Sequence, residues 1–178
     1  MIQEKETKKI TNLFSLLSDY ANYNFWANKR LIDWLKTKPE ELISKDVPSS
    51  FTSIKQTLFH IRTVQDWWMG NLTGSVPESR YWHVYQGTAS EIFEDVLEQS
   101  EKLANYVGSL SQLSLHENCA FSIPTVGEFN QQKLAIIQHT MNHSTYHRGQ
   151  IVTIGHHLGF HDAPMTDYMY YLLRQNFQ

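Results

Sequence analysis

Cysteine is almost absent. Cys119 stands alone among 178 residues, which excludes an internal disulfide and a thiolate-rich zinc site. Any metal in this chain must therefore use histidine, carboxylate or water. Long apolar runs are absent too, and no stretch approaches the roughly 20 apolar residues of a membrane-spanning helix. The opening segment, Met1-Ile2-Gln3-Glu4-Lys5-Glu6-Thr7-Lys8-Lys9, lacks the apolar centre of a signal peptide. A cytoplasmic protein without a membrane partner is expected. There is no excess of basic charge either: 15 Lys and Arg face 18 Asp and Glu, a formal net charge of −3. The basic residues are scattered rather than gathered into a patch that could follow a phosphate backbone, so no nucleic-acid partner is expected. Also missing are a Gly-x-Ser-x-Gly elbow and a phosphate-cradling glycine loop. No His-Glu-x-x-His motif occurs, because position 144 between the paired histidines is Ser, and a zincin peptidase with a Glu base is unsupported.

What is present is a chain of the size of one domain, residues 1–178, with an apolar fraction of 41% that suits a soluble core. Five Trp, nine Tyr and nine Phe supply core and pocket walls. From Ile10 to about Lys36, Leu13, Leu17, Tyr20, Asn24, Ala27, Leu31 and Trp34 recur at steps of three and four, which predicts a long helix ended by Pro39. Ile54, Leu58, Ile61 and Trp68 predict a second helix that stops between Gly70 and Gly74. Thr88-Ala89-Ser90-Glu91 offers caps for a third, carrying Phe93, Val96, Leu103, Val107 and Leu110. A fourth is expected from about Asn130 to Leu158, closed by Gly159, and a last short one after Pro164, over Met165 to Arg174. The stretch Leu113–Phe129, with Pro124-Thr125-Val126-Gly127, predicts an irregular or short hairpin connection ahead of the fourth helix. The aromatic segment from Ser75 to Thr88, with Pro77, Trp82, His83 and Tyr85, reads as a loop that either packs on the surface or covers a site. The fold class is all-α, a four-helix bundle with these appendages.

The chemistry concentrates in His139, His143 and His147, spaced by four residues so that a helix puts all three on one face. With nine His in the chain, about half of one His-x-x-x-His pair is expected by chance but only about 0.02 of such a trio. His139 and His147 lie roughly 12 Å apart along a helix, so one ion can take an adjacent pair but not all three. The helix supplies either His139 with His143 or His143 with His147, and a third ligand must come from elsewhere. His60, at the flank of the second helix's apolar stripe, is the best donor. Cys119 reads as a small, partly buried residue, and Tyr146 as a packed phenol. Asn24 and Asn28 read as hydrogen-bonded core residues, and Arg148 as half of a buried or interhelical ion pair with Asp167 as the candidate partner.

Three stretches together resemble the DinB family: Tyr23-Asn24-Phe25-Trp26-Ala27-Asn28-Lys29-Arg30-Leu31, Leu58-Phe59-His60-Ile61, and Asn142-His143-Ser144-Thr145-Tyr146-His147-Arg148-Gly149-Gln150-Ile151. Pro164-Met165-Thr166-Asp167-Tyr168 is similar to that family's ending. The resemblance implies an up-down-down-up four-helix bundle with a divalent ion held by His60, His143 and His147, leaving His139 as a pocket residue or a hydrogen-bonded neighbour of the ligands. Imidazole ligands suit Zn or Ni, with Fe or Mn as further options. Some members of this family are transferases or isomerases that use low-molecular-weight thiols such as bacillithiol. The resemblance thus implies a transferase joining such a thiol to a small electrophile. A metal-dependent hydrolase and a non-catalytic metal-binding stress-response module are the alternatives. A homodimer is permitted by the aromatic faces and common in the family.

Overall fold

The computed structural model describes residues 10–75 and 84–173. The chain runs α1 (Leu13–Leu35), α2 (Glu40–Ile43), α3 (Ile54–Thr73), α4 (Ala89–Ser109), a single 3-10 turn (Ser114–His116), β1 (Asn118–Ile123), β2 (Gly127–Gln132), α5 (Lys133–His157) and α6 (Tyr168–Leu173).

Local signals in the chain place most helix ends. Asn12 caps α1 in a reciprocal box with Ser15, and Thr88 does the same for α4 with Glu91. Ser53 accepts from the backbone N–H of Gln56 to start α3, and Gly74 ends it in the left-handed region at φ 72°. Past α5, the N–H of Phe160 bonds the carbonyl of Gly155 and that of Gly159 bonds His156, a Schellman closure that Gly159 permits with φ 90°.

Each long helix packs on two others, so that α1 meets α4 and α5 and α3 meets the same pair, which closes a ring of four. Two apolar layers fill it. One joins Leu31 and Leu35 of α1, Ile54 and Leu58 of α3, Ile92 and Val96 of α4, and Ile151 and Ile154 of α5. The other joins Leu17 and Ala21, Trp68 and Leu72, Leu103 and Val107, and Ile137 and Met141 of the same helices. The late part of α1 thus sits level with the early part of α3, the early part of α4 and the late part of α5. Helices α1 and α5 run one way, and α3 and α4 the other.

Several expected boundaries shift. α5 begins at Lys133, because Asn130, Gln131 and Gln132 pair with β1 in the antiparallel hairpin. After Pro164 the chain has no regular structure until Tyr168, where the last helix begins, so its start lies beyond Met165. The short α2 was not foreseen, since four residues are too few to show a period. Of the aromatic segment, Pro77, Trp82, His83 and the expected helix end at Arg174 fall outside the described residues. Tyr85 exchanges two hydrogen bonds with Gln56, its N–H donating to Oε1 and its carbonyl accepting from Nε2, both at 3.0 Å. Its ring packs 5.0 Å from Phe59, so this end of the segment lies on α3. No helix among the described residues is long and apolar enough to cross a membrane.

Candidate metal centre

α3 carries His60 toward two successive turns of α5, which present His143 and His147. The Nε2 atom of His143 lies 3.0 Å from Nε2 of His60 and 3.1 Å from Nε2 of His147. One ligand atom from each of the three falls within 4.8 Å of the others. Two nitrogens bound to one ion at about 2.0–2.1 Å are roughly 3.0 Å apart at right angles and about 3.4 Å apart at a tetrahedral angle, so both separations from His143 fit a shared ion. His139 is outside this group. It lines the adjoining cavity, its ring 5.2 Å from Trp68 and 6.0 Å from His143, which is the pocket position of the two that were expected.

Protonation supports the same fit. Nδ1 of His147 lies 2.6 Å from Oε1 of Gln150, which only accepts, so Nδ1 carries the proton and Nε2 presents a lone pair inward. One proton on His143 Nε2 can bridge only one of its two close contacts, whereas a cation among the three satisfies every lone pair. Nδ1 of His143 is buried without a hydrogen-bond partner among the described residues. Burial, with His147 nearby, lowers the pKa of His60 to about 4. Burial, with His147, His60 and His139 around it, lowers His143 to about 3. His147 is also lowered by burial, against an upward pull from Gln150. All three are neutral imidazoles at pH 7, the form that donates to a metal. The group could hold a divalent ion and would leave coordination positions open.

Around the histidines lie residues that spacing alone did not disclose. Phe51, from the loop before α3, stacks on His60 with centroids 4.2 Å apart and meets the edge of His147 at 5.5 Å. Gln150 donates from Nε2 to Ser50 Oγ and Tyr146 OH, each at 3.2 Å, which fixes its amide. Tyr146 is 63% exposed, so it is an outward-facing phenol at the edge of His147 rather than a packed one. On the other side, a cavity of about 360 Å³ opens beside His60 and His143, walled by Phe51, Val64, Trp67, Trp68, Ile123 and Pro124 with His139 on its margin.

Behind the site, a polar layer separates the two apolar ones. The fully buried Arg148 donates from Nη1 to Asn24 Oδ1 at 2.8 Å and Asn28 Oδ1 at 3.0 Å, and from Nη2 to Thr145 Oγ1 at 2.7 Å. Asn28 continues to Ser100, Ser100 to Gln65, and Gln65 to Ser144, so the chain of hydrogen bonds touches all four long helices. The expectation for Asn24 and Asn28 holds. That for Arg148 does not, since the guanidinium bonds neutral oxygens within the core while Asp167 is exposed. Cys119 is buried on β1, its thiol donating to the Asn71 carbonyl at 3.2 Å, and burial raises its pKa.

The DinB family model matches residues 6–176. The chain belongs to the DinB family. Consistent with this, it is 30% identical to Protein DinB of Bacillus subtilis (strain 168) over 167 residues, covering 88% of this chain and 95% of that protein. As a DinB-family protein, it joins a mostly helical fold to a three-histidine group able to hold a metal.

Proposed function

We propose that this DinB-family protein is a metal-dependent transferase in which His60, His143 and His147 bind one divalent ion, and that it joins a low-molecular-weight thiol of the bacillithiol type to a small electrophile. The observation that carries this reading is the convergence of three neutral imidazole nitrogens, two of them from His60 and His143, which line an apolar cavity. Three neutral ligands leave an ion its full 2+ charge, and such an ion supplies a Lewis acid that lowers the pKa of a thiol.

The protein's own residues hold and shape the reaction space. Gln150 keeps His147 in the tautomer that offers Nε2. Phe51 shields His60 from water by stacking on its ring. The cavity wall seats the electrophile within reach of the histidines, so that attack is a local event. In a substitution such as that on 1-chloro-2,4-dinitrobenzene, a carbon–sulfur bond forms and the carbon–chlorine bond breaks. Chloride leaves with the electron pair, and the thiol proton passes to water.

The test measures turnover of 1-chloro-2,4-dinitrobenzene by protein loaded with Zn or Ni, with and without bacillithiol, and after chelation. Conjugate formation that requires both metal and thiol is expected. Metal-dependent release of chloride without thiol would assign a hydrolase. Full metal loading with no turnover on this and other electrophiles would favour a non-catalytic module.

A further inference from the structure

The cavity beside His60 and His143 is chemically one-sided. Its wall is built from Phe51, Val64, Trp67, Trp68, Ile123 and Pro124, and among the described residues no Lys, Arg, Asp or Glu lines it. Trp67 and Trp68 meet edge to face with centroids 4.3 Å apart, and Phe121 of the hairpin packs on Trp68 at 5.0 Å. These rings hold one another in place, so the wall is preformed rather than assembled around a guest. A cavity of roughly 150 Å³ is enough to hold benzene; at about 360 Å³ this one has room for a substituted ring.

We infer that this cavity is the binding site for an uncharged aromatic electrophile, whose ring lies against Trp67 and Trp68 with its reactive carbon toward His60 and His143. A charged carboxylate buried here would find no cationic side chain among the described lining residues, and an unpaired ion in an apolar site is strongly disfavoured. The anionic body of a bacillithiol-type thiol therefore stays outside the cavity, and the two substrates reach the histidines from different sides. The inference rests on the proposed transferase for its word electrophile, but its physical content is a binding preference that is measured separately.

The probes are 4-nitrotoluene, which is unreactive here and uncharged, and 4-nitrobenzoate, which carries the same ring with a carboxylate. Binding is read by calorimetry on metal-free protein, because a carboxylate could otherwise ligate the ion. One 4-nitrotoluene per chain is expected, bound at least tenfold more tightly than 4-nitrobenzoate. Val64→Trp fills the cavity from α3 and should weaken 4-nitrotoluene more than tenfold. Ile123→Glu, on the half-buried strand β1 outside the four long helices, should do the same while the helical circular dichroism is retained. Equal affinity for the two probes, or unchanged affinity in a folded Ile123→Glu variant, would overturn the inference. Binding as expected without any thiol transfer would keep the aromatic site and refute the transferase. Thiol transfer with charged electrophiles only would do the reverse.

Discussion

At the scale of single residues, the candidate centre depends on which nitrogen of each imidazole carries its proton. Gln150 fixes this for His147 through the 2.6 Å contact at Nδ1. Gln150→Leu removes the acceptor and frees the ring to turn, so affinity for Zn should fall about tenfold to a hundredfold. Competition with a chromogenic chelator measures it, and an unchanged affinity would show that the ring is held by packing alone. The buried imidazoles also make the metal-free protein sensitive to acid. In the unfolded chain His60 and His143 titrate near 6.5, whereas in the folded one burial lowers them to about 4 and about 3. The unfolded state therefore binds protons first. The stability contributed by the neutral rings is complete above about pH 6.5 and is lost progressively as pH falls toward the folded values. Denaturant midpoints of the metal-free protein between pH 7 and pH 4 should decline more steeply than those of a His60→Gln/His143→Gln variant. Parallel declines would contradict the depressed pKa values.

At the scale of elements, α5 does two jobs on adjoining stripes: it presents His143 and His147 to α3 and anchors Arg148 into α1. Arg148→Met would leave the Oδ1 atoms of Asn24 and Asn28 buried without their donor. Each orphaned acceptor costs about 1–3 kcal/mol, so a loss of roughly 2–5 kcal/mol is expected in chemical denaturation. Arg148→Lys should recover only part of it, because one ammonium cannot reproduce the guanidinium fork that reaches Asn24, Asn28 and Thr145 together. A loss below about 0.5 kcal/mol would mean that the layer contributes little. The end of α3 and the start of α4 were legible because caps act within three or four residues, and Gly74 and Thr88 with Glu91 are read directly from the chain, whereas α1 starts at Leu13, three residues after the expected Ile10, behind an Asn12 cap that its apolar period does not mark. The start of α5 was not, because the helical periodicity of Leu134 onward gives no sign that Asn130–Gln132 pair with β1, a contact set by the turn between the strands.

At the scale of the whole molecule, two apolar layers enclose one polar layer. On every long helix the polar residue falls between the layers: Asn24 and Asn28 before Leu31, Gln65 between Ile61 and Trp68, Ser100 between Val96 and Leu103, Ser144 and Arg148 between Met141 and Ile151. The histidine group sits at this level on the side where α3 meets α5. The helical class and the three histidines were readable from periodicity, from the His spacing and from resemblance. The cavity was not, because Val64 and Trp68 become its wall only once Ile123 and Pro124 of the hairpin dock opposite them. Nor did sequence separate His139 from the metal group by geometry, since its spacing from His143 equals that of His147.

The central claim is that His60, His143 and His147 hold one divalent ion. Element-resolved metal analysis of untagged protein, purified without metal columns, tests it most directly when a folded His60→Ala/His143→Ala/His147→Ala variant is prepared in the same way. About one Zn, Ni, Mn or Fe per chain in the parent and none in the variant is the predicted result. Equally little metal in both, even after each of these ions is supplied, would contradict the account.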